Sequence, residues 1–158
     1  MYLFKQIKVD KDTVLVGKAG EEDLEHLRHQ GYQKVLDIMP TALKDKRLPR
    51  KVRSAGMVYH HIPVEDCDLE SCQLEEKQVA RFFQYLVSHG QSPIIINTDD
   101  EVLGISLMVL AKVFGEGKPQ REVLRSLEAL GVSLTGRKDI RRLLADFYGH
   151  YKKKLIGR

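Results

Sequence analysis

Alternating apolar and polar positions in "FKQIKV" (Phe4–Val9), followed by the apolar run "TVLVG" (Thr13–Gly17), predict two short strands. The turn-like "DKD" between them makes an opening hairpin that stops at Gly17. "GEEDLEHLRHQG" (Gly20–Gly31) has acidic residues at its entry, Leu24 and Leu27 on one face, and a glycine at its end, which predicts a helix. The strand pattern "KVLDI" follows directly. "MPTALKDKRLPRKVRSAG" (Met39–Gly56) carries two prolines and a run of basic residues, and reads as an exposed excursion with a short helix before Gly56. "MVYHHIPVED" (Met57–Asp66) is a further strand pattern that closes in a polar loop running through Cys72. "LEEKQVARFFQYLVSHG" places Val79, Phe82, Phe83 and Leu86 at helical spacing and stops at Gly90.

The stretch "PIIIN" (Pro93–Asn97) is short, β-branched and uniformly apolar, as a central strand buried on both faces requires. Its successor, "ISLMVLAKVFG", is apolar on almost every side, and two more helical patterns, "KPQREVLRSLEALG" and "RKDIRRLLADFYGHYKKKL", close the chain. Strand and helix alternate through the middle and helices gather at the end. This order predicts an α/β fold with a central, mostly parallel sheet flanked by helices.

A chain of 158 residues, 42% hydrophobic and 30% charged, is long enough for one well-buried core, so residues 1–158 are expected to form a single domain. No apolar run approaches the ~20 residues of a membrane span, and "MYLFKQIKVDKD" turns to charge before a signal-peptide core is reached. The expected location is therefore cytoplasmic. Cys67 and Cys72 are too few for a disulfide scaffold and match no zinc spacing, which leaves reduced thiols as the expectation. The net charge of +4 is local: Arg137–Arg158 holds eight Lys or Arg against two Asp, a basic helix that would suit an anionic or protein partner. Lys152, Lys153 and Lys154 have only Tyr148 and Tyr151 beside them as aromatics, so nucleic acid is not an expected partner of this protein.

The phrases "TVLVGKAGEEDLEHLRHQGYQKVLDI", "YHHIPVED" and "PIIIN", with the loop and apolar helix that follow, occur in this order from about Phe4 to Gly115. In order and spacing they resemble the bacterial tyrosine and dual-specificity phosphatase-like proteins, closest to the small branch also found fused to β-lactamase-like hydrolases. The resemblance implies a tyrosine-phosphatase-like fold. It also implies a signature after the strand: His-Cys, a glycine-containing loop, and Arg at the start of the helix. There the cysteine attacks phosphorus as a thiolate, the loop amides and helix N-terminus supply positive potential, and the arginine grips two phosphoryl oxygens. An aspartic acid from another loop protonates the leaving oxygen.

Laid on this chain, the His position is Asn97, the Cys position Thr98, the loop Gly position Glu101 and the Arg position Gly104, or Leu103 if the loop is one residue shorter. The hydroxyl position that often follows is Ile105 or, with a slip, Ser106. The candidate site is thus Asn97, Thr98, Asp99, Asp100, Glu101, Val102, Leu103 and Gly104, with Asp66, or Asp68 as the other choice, at the general-acid position. Neither nucleophilic thiolate nor arginine is recovered. A hydroxyl such as that of Thr98 attacks less readily and needs a base. Asp99, Asp100 and Glu101 would repel a phosphate, at about 4 kcal/mol for unit charges 4 Å apart at an effective dielectric of 20.

These readings predict a phosphatase-fold protein without catalysis, a pseudophosphatase serving as a binding or regulatory module with no cofactor and no metal. Thr98, Asp99 or Asp100 would then cap the helix that begins near Glu101. The rival is a hydrolase of altered mechanism, using Thr98, a loop cysteine, or Mg or Ca held by Asp99, Asp100 and Glu101 with Asp66. A third reading is an interaction module acting through the basic C-terminal helix. His60 and His61, adjacent on a strand, point to opposite faces, one buried and one exposed by expectation, and do not readily share a metal.

Overall fold

The computed structural model describes residues 5–17, 20–41, 44–64, 76–88 and 93–156. Strands β1 (Lys5–Asp10), β2 (Thr13–Gly17), β3 (Lys34–Asp37), β4 (Val58–His61) and β5 (Ile94–Asn97) form one sheet in the order β1-β2-β5-β3-β4. Only the opening hairpin β1–β2 is antiparallel; β2–β5, β5–β3 and β3–β4 are parallel. The helices are α1 (Glu21–His29), α2 (Leu48–Ser54), α3 (Glu76–Ser88), α4 (Glu101–Gly115), α5 (Gln120–Ala129) and α6 (Lys138–Ile156). Each predicted strand and helix is present. Among the described residues no helix is long and apolar enough to cross a membrane.

Pairing in register explains why the inner strands β2 and β5 carry near-continuous apolar runs. Val14, Ile95 and Val35 align across three strands, as do Leu15, Ile96 and Leu36 one step further along. Successive side chains point to opposite faces, so the first row meets α1 and α2 and the second meets α3 to α6. The burial clusters divide accordingly. Leu24, Leu27, Leu48 and Val52 pack with Val14, Val35 and Ile95. Phe82, Leu107, Leu127 and Phe147 pack with Leu15, Leu36 and Ile96. β5 is buried along its whole length because it has a strand on either side and helices on both faces.

α4 is the most enclosed helix, with Leu103 to Leu110 all buried, which accounts for its lack of a polar stripe. α6 is integral to the same core through Ile140, Leu143, Leu144, Phe147 and Tyr148. Phe147 meets Phe83 and Phe114 edge-on at centroid distances of 5.0 and 4.9 Å, and the Tyr148 hydroxyl donates to the Lys118 carbonyl at 3.1 Å. The basic C-terminal segment therefore begins as a core helix.

The expected division of the two adjacent histidines is corrected here. β4 is an edge strand and is covered on one side only, so His60 is exposed and His61 half-buried; neither is buried. Phe147→Ala should cost about 3–5 kcal/mol, the usual loss for truncating a fully enclosed phenylalanine. Urea unfolding at neutral pH measures it, and a loss below about 1 kcal/mol would show α6 to be peripheral.

Candidate functional site

In open parallel sheets ligands gather at the carboxyl ends of the strands, and here four strand ends converge: Gly17, Asp37, His61 and Asn97. Thr98, Asp99 and Asp100 connect β5 to α4. The Thr98 amide donates to the Val16 carbonyl at 3.0 Å, continuing the β2–β5 ladder by one residue, and its hydroxyl accepts from the Asp100 amide at 3.1 Å. Thr98 is thereby buried. Asp99 points to solvent, and its amide lies 3.3 Å from the Met39 sulfur.

Asp100 is the N-cap of α4. Its backbone is extended, with φ −107° and ψ 92°, and its Oδ1 accepts from the Leu103 amide at 3.1 Å. The same carboxylate is gripped end-on by Arg137, Nη1 to Oδ1 at 2.8 Å and Nη2 to Oδ2 at 2.7 Å. Arg137 also donates to Asp139, through Nε at 3.1 Å and Nη2 at 3.0 Å. One guanidinium thus joins the start of α4 to the start of α6. Hydrogen bonds to Asp100 and then Asp139 push its pKa above its already high value. Burial alone would raise the Asp139 pKa, but the Arg137 hydrogen bond and charge, with backbone N–H donors at the α6 N-terminus, bring it below the ordinary carboxylate value.

A second polar group lies on the α1–α2 side of the same edge. Asp37 is fully buried and accepts from the Met39 amide at 3.1 Å, the Tyr59 hydroxyl at 2.7 Å and Asn97 Nδ2 at 3.1 Å. Three donors satisfy a carboxylate that would otherwise be costly to enclose. His61 Nε2 lies 2.8 Å from the Met39 carbonyl. Burial, then the bond to Asp37 and its charge, raise the Tyr59 pKa and keep the phenol protonated. Asn97 Oδ1 is buried with no hydrogen-bond partner among the described residues.

Gly104 lies within the first turn and a half of α4. A β-carbon there would sit 3.0 Å from Thr98 Cγ2 and 3.1 Å from Leu15 Cδ2, both on buried residues. Glycine is what lets α4 approach β2 so closely. Leu103 is enclosed in the core, while Glu101 and Val102 are half-buried on the first turn. The structure therefore brings Asn97 to Gly104 together in one strand, loop and helix start. Asp66, Cys67, Asp68 and Cys72 lie outside the described residues. Among the described residues no group of three or more His, Cys, Asp or Glu could hold a metal ion.

No protein-family model matches the chain, and neither does any curated protein sequence. Solved structures do. A candidate phosphatase from Shewanella putrefaciens superposes with a TM-score of 0.73 at 18% identity, over 92% of both chains. Another, from Neisseria meningitidis, gives 0.60 at 20% identity over 88% of this chain and 95% of its own. A kinase-associated phosphatase carrying serine for its catalytic cysteine gives 0.64 at 13% identity, over 98% and 96%. The fold is that of the tyrosine and dual-specificity phosphatase-like proteins. In this phosphatase-like fold the β5–α4 junction is where the resemblance drawn from sequence sets the signature loop.

Sequence reasoning missed Arg137 and the Asp37 network. Asp37 does leave a trace, as an acid inside an apolar strand pattern. The role of Arg137 at the loop leaves none, because Asp100 is 37 residues away.

Asp100→Ala removes both cap and fork and should cost about 2 kcal/mol, whereas Asp100→Asn keeps an acceptor for Leu103 and should cost about 1 kcal/mol. Urea unfolding compares them, and equal losses would assign the effect to the charge alone. Asp139 contributes stability that is complete above the unfolded aspartate value of about 3.9 and is lost as pH falls through its lower folded value. The stability difference between wild type and Asp139→Asn should accordingly be constant near neutrality and shrink on acidification, as thermal melts across that range would record.

Proposed function

We propose that this phosphatase-fold protein does not catalyse phosphoryl transfer and serves as a binding or regulatory module. The observation that carries the reading is the state of Asp100. Its carboxylate occupies the α4 N-terminus, where a phosphate would need free amides, and engages the guanidinium that reaches the loop. An incoming dianion would meet a capped amide and a neutralised cation.

Two further features support it. Thr98 offers a hydroxyl where a thiolate is needed, and that hydroxyl already accepts from the Asp100 amide. Gly104 lies where an arginine would have to displace Thr98 and Leu15. The departures are thus built into the packing. The cytoplasm is the expected compartment.

The purified protein should not hydrolyse p-nitrophenyl phosphate between about pH 5 and 8, with or without added divalent cation. Turnover that persists through purification and disappears in Asp66→Asn would overturn the reading. Thr98→Cys combined with Gly104→Arg should likewise stay inactive and melt at lower temperature than wild type, since overpacking of a tight contact costs about 1–3 kcal/mol. Activity in that variant would mean that the loop keeps a phosphate-ready shape.

A further inference from the structure

The Met39–Gly56 excursion, which in sequence is merely exposed, acquires a definite face once folded. α2 buries Leu48 and Val52 against the core. At about 100° per residue, Arg50 lies opposite the midpoint of those two, with Arg47 and Arg53 about 60° to either side. All three are exposed. The guanidinium of exposed Arg28, from the last turn of α1, lies against the Gly56 turn, with its Nε 2.8 Å from where a β-carbon on Gly56 would be. Arg28 thus adjoins the C-terminal end of α2, beside the face that carries Arg47, Arg50 and Arg53. None of them is in an ion pair with a described residue; the acid of the excursion, Asp45, is engaged by Lys51 at 3.6 Å.

Local helix physics does not account for this placement. Arg53 suits a helix C-terminus; Arg47 occupies the N-cap without a side-chain capping bond, and the acid at this end, Asp45, lies ahead of the first turn and accepts from the Arg47 amide at 2.9 Å. Cations at the positive end of a helix dipole destabilise it, and neighbouring guanidinium groups repel one another. Asp45 offsets part of this at the backbone, but no described carboxylate pairs with the four guanidinium groups, and function is the first place to look for such a face.

We propose that the α1–α2 face binds the phosphodiester backbone of a nucleic-acid duplex, without reading bases. The chemistry separates this partner from the other polyanions. Among the described residues the large exposed apolar side chains are Val58, Leu124 and Leu130, so the described part of this face holds at most one anchor for a membrane or for the pocket of a protein interface. Counterion release from a densely charged duplex needs no anchor, only cations matched to phosphates. The inference stands apart from the β5–α4 loop and does not depend on whether that loop turns over phosphate.

The test is fluorescence anisotropy of the full chain with a labelled DNA duplex of about 20 base pairs across a salt series. Four phosphate contacts predict a log–log salt slope of about −3.5, and each Arg→Gln change should lower its magnitude by about 1. R28Q/R47Q/R50Q/R53Q should weaken binding at least about tenfold at low salt. Its melting temperature should stay within a few degrees of wild type, because Arg47 opposes the α2 dipole while Arg53 and Arg28 complement the C-terminal ends of α2 and α1. K152Q/K153Q/K154Q should leave binding unchanged. Absence of wild-type binding at low salt, or equal loss in the triple-lysine variant, would overturn the proposal. So would equally tight, equally Arg-dependent binding of polyglutamate or phosphatidylserine vesicles.

Discussion

The carboxylate of Asp100 closes three structural demands at once. It satisfies a backbone donor at the start of α4, places negative charge at the positive end of that helix, and holds Arg137 in a two-point grip. Because Arg137 also binds Asp139, the same group ties the most enclosed helix of the core to the helix that closes the chain. It adds a polar tie to the apolar α4–α6 packing and sets the character of the strand-end site.

Helix N-termini attract anions because several amide donors are left without partners. A protein may fill that position with its own side chain, and this one does. Asp100 satisfies the Leu103 amide, and Arg137 is committed to two carboxylates. The close approach of Gly104 to Thr98 and Leu15 works in the same direction, since it brings the helix flush against β2. The fold is of the phosphatase kind, and at its strand ends the start of α4 is capped by a side chain of the protein itself.

The opposite side of the strand ends has a different balance. Asp37 is fully enclosed yet has three donors, so burial and polarity coexist without penalty. Beyond it, α2 carries exposed arginines that pair with no described carboxylate, around a small apolar contact. The two sides of one sheet thus separate an internally neutralised loop from an outwardly charged helix.

Most of the architecture was legible in the order of residues, for a physical reason. Strand and helix periods of 2 and 3.6 depend on neighbours a few positions apart, and "PIIIN" or "GEEDLEHLRHQG" contain all that is needed to specify them. The absence of Cys and Arg from the β5–α4 loop and the capping role of an acid ahead of Glu101 are equally local. Selecting Asp100 among three candidate caps required the observed backbone angles. Pairing it with Arg137, joining Asp37 to Tyr59 and Asn97, exposing His60 beside a half-buried His61, and gathering Arg28 with the arginines of α2 required the tertiary structure. Those relations link residues far apart in sequence, and only strand order, helix facing and close packing decide which distant side chains meet.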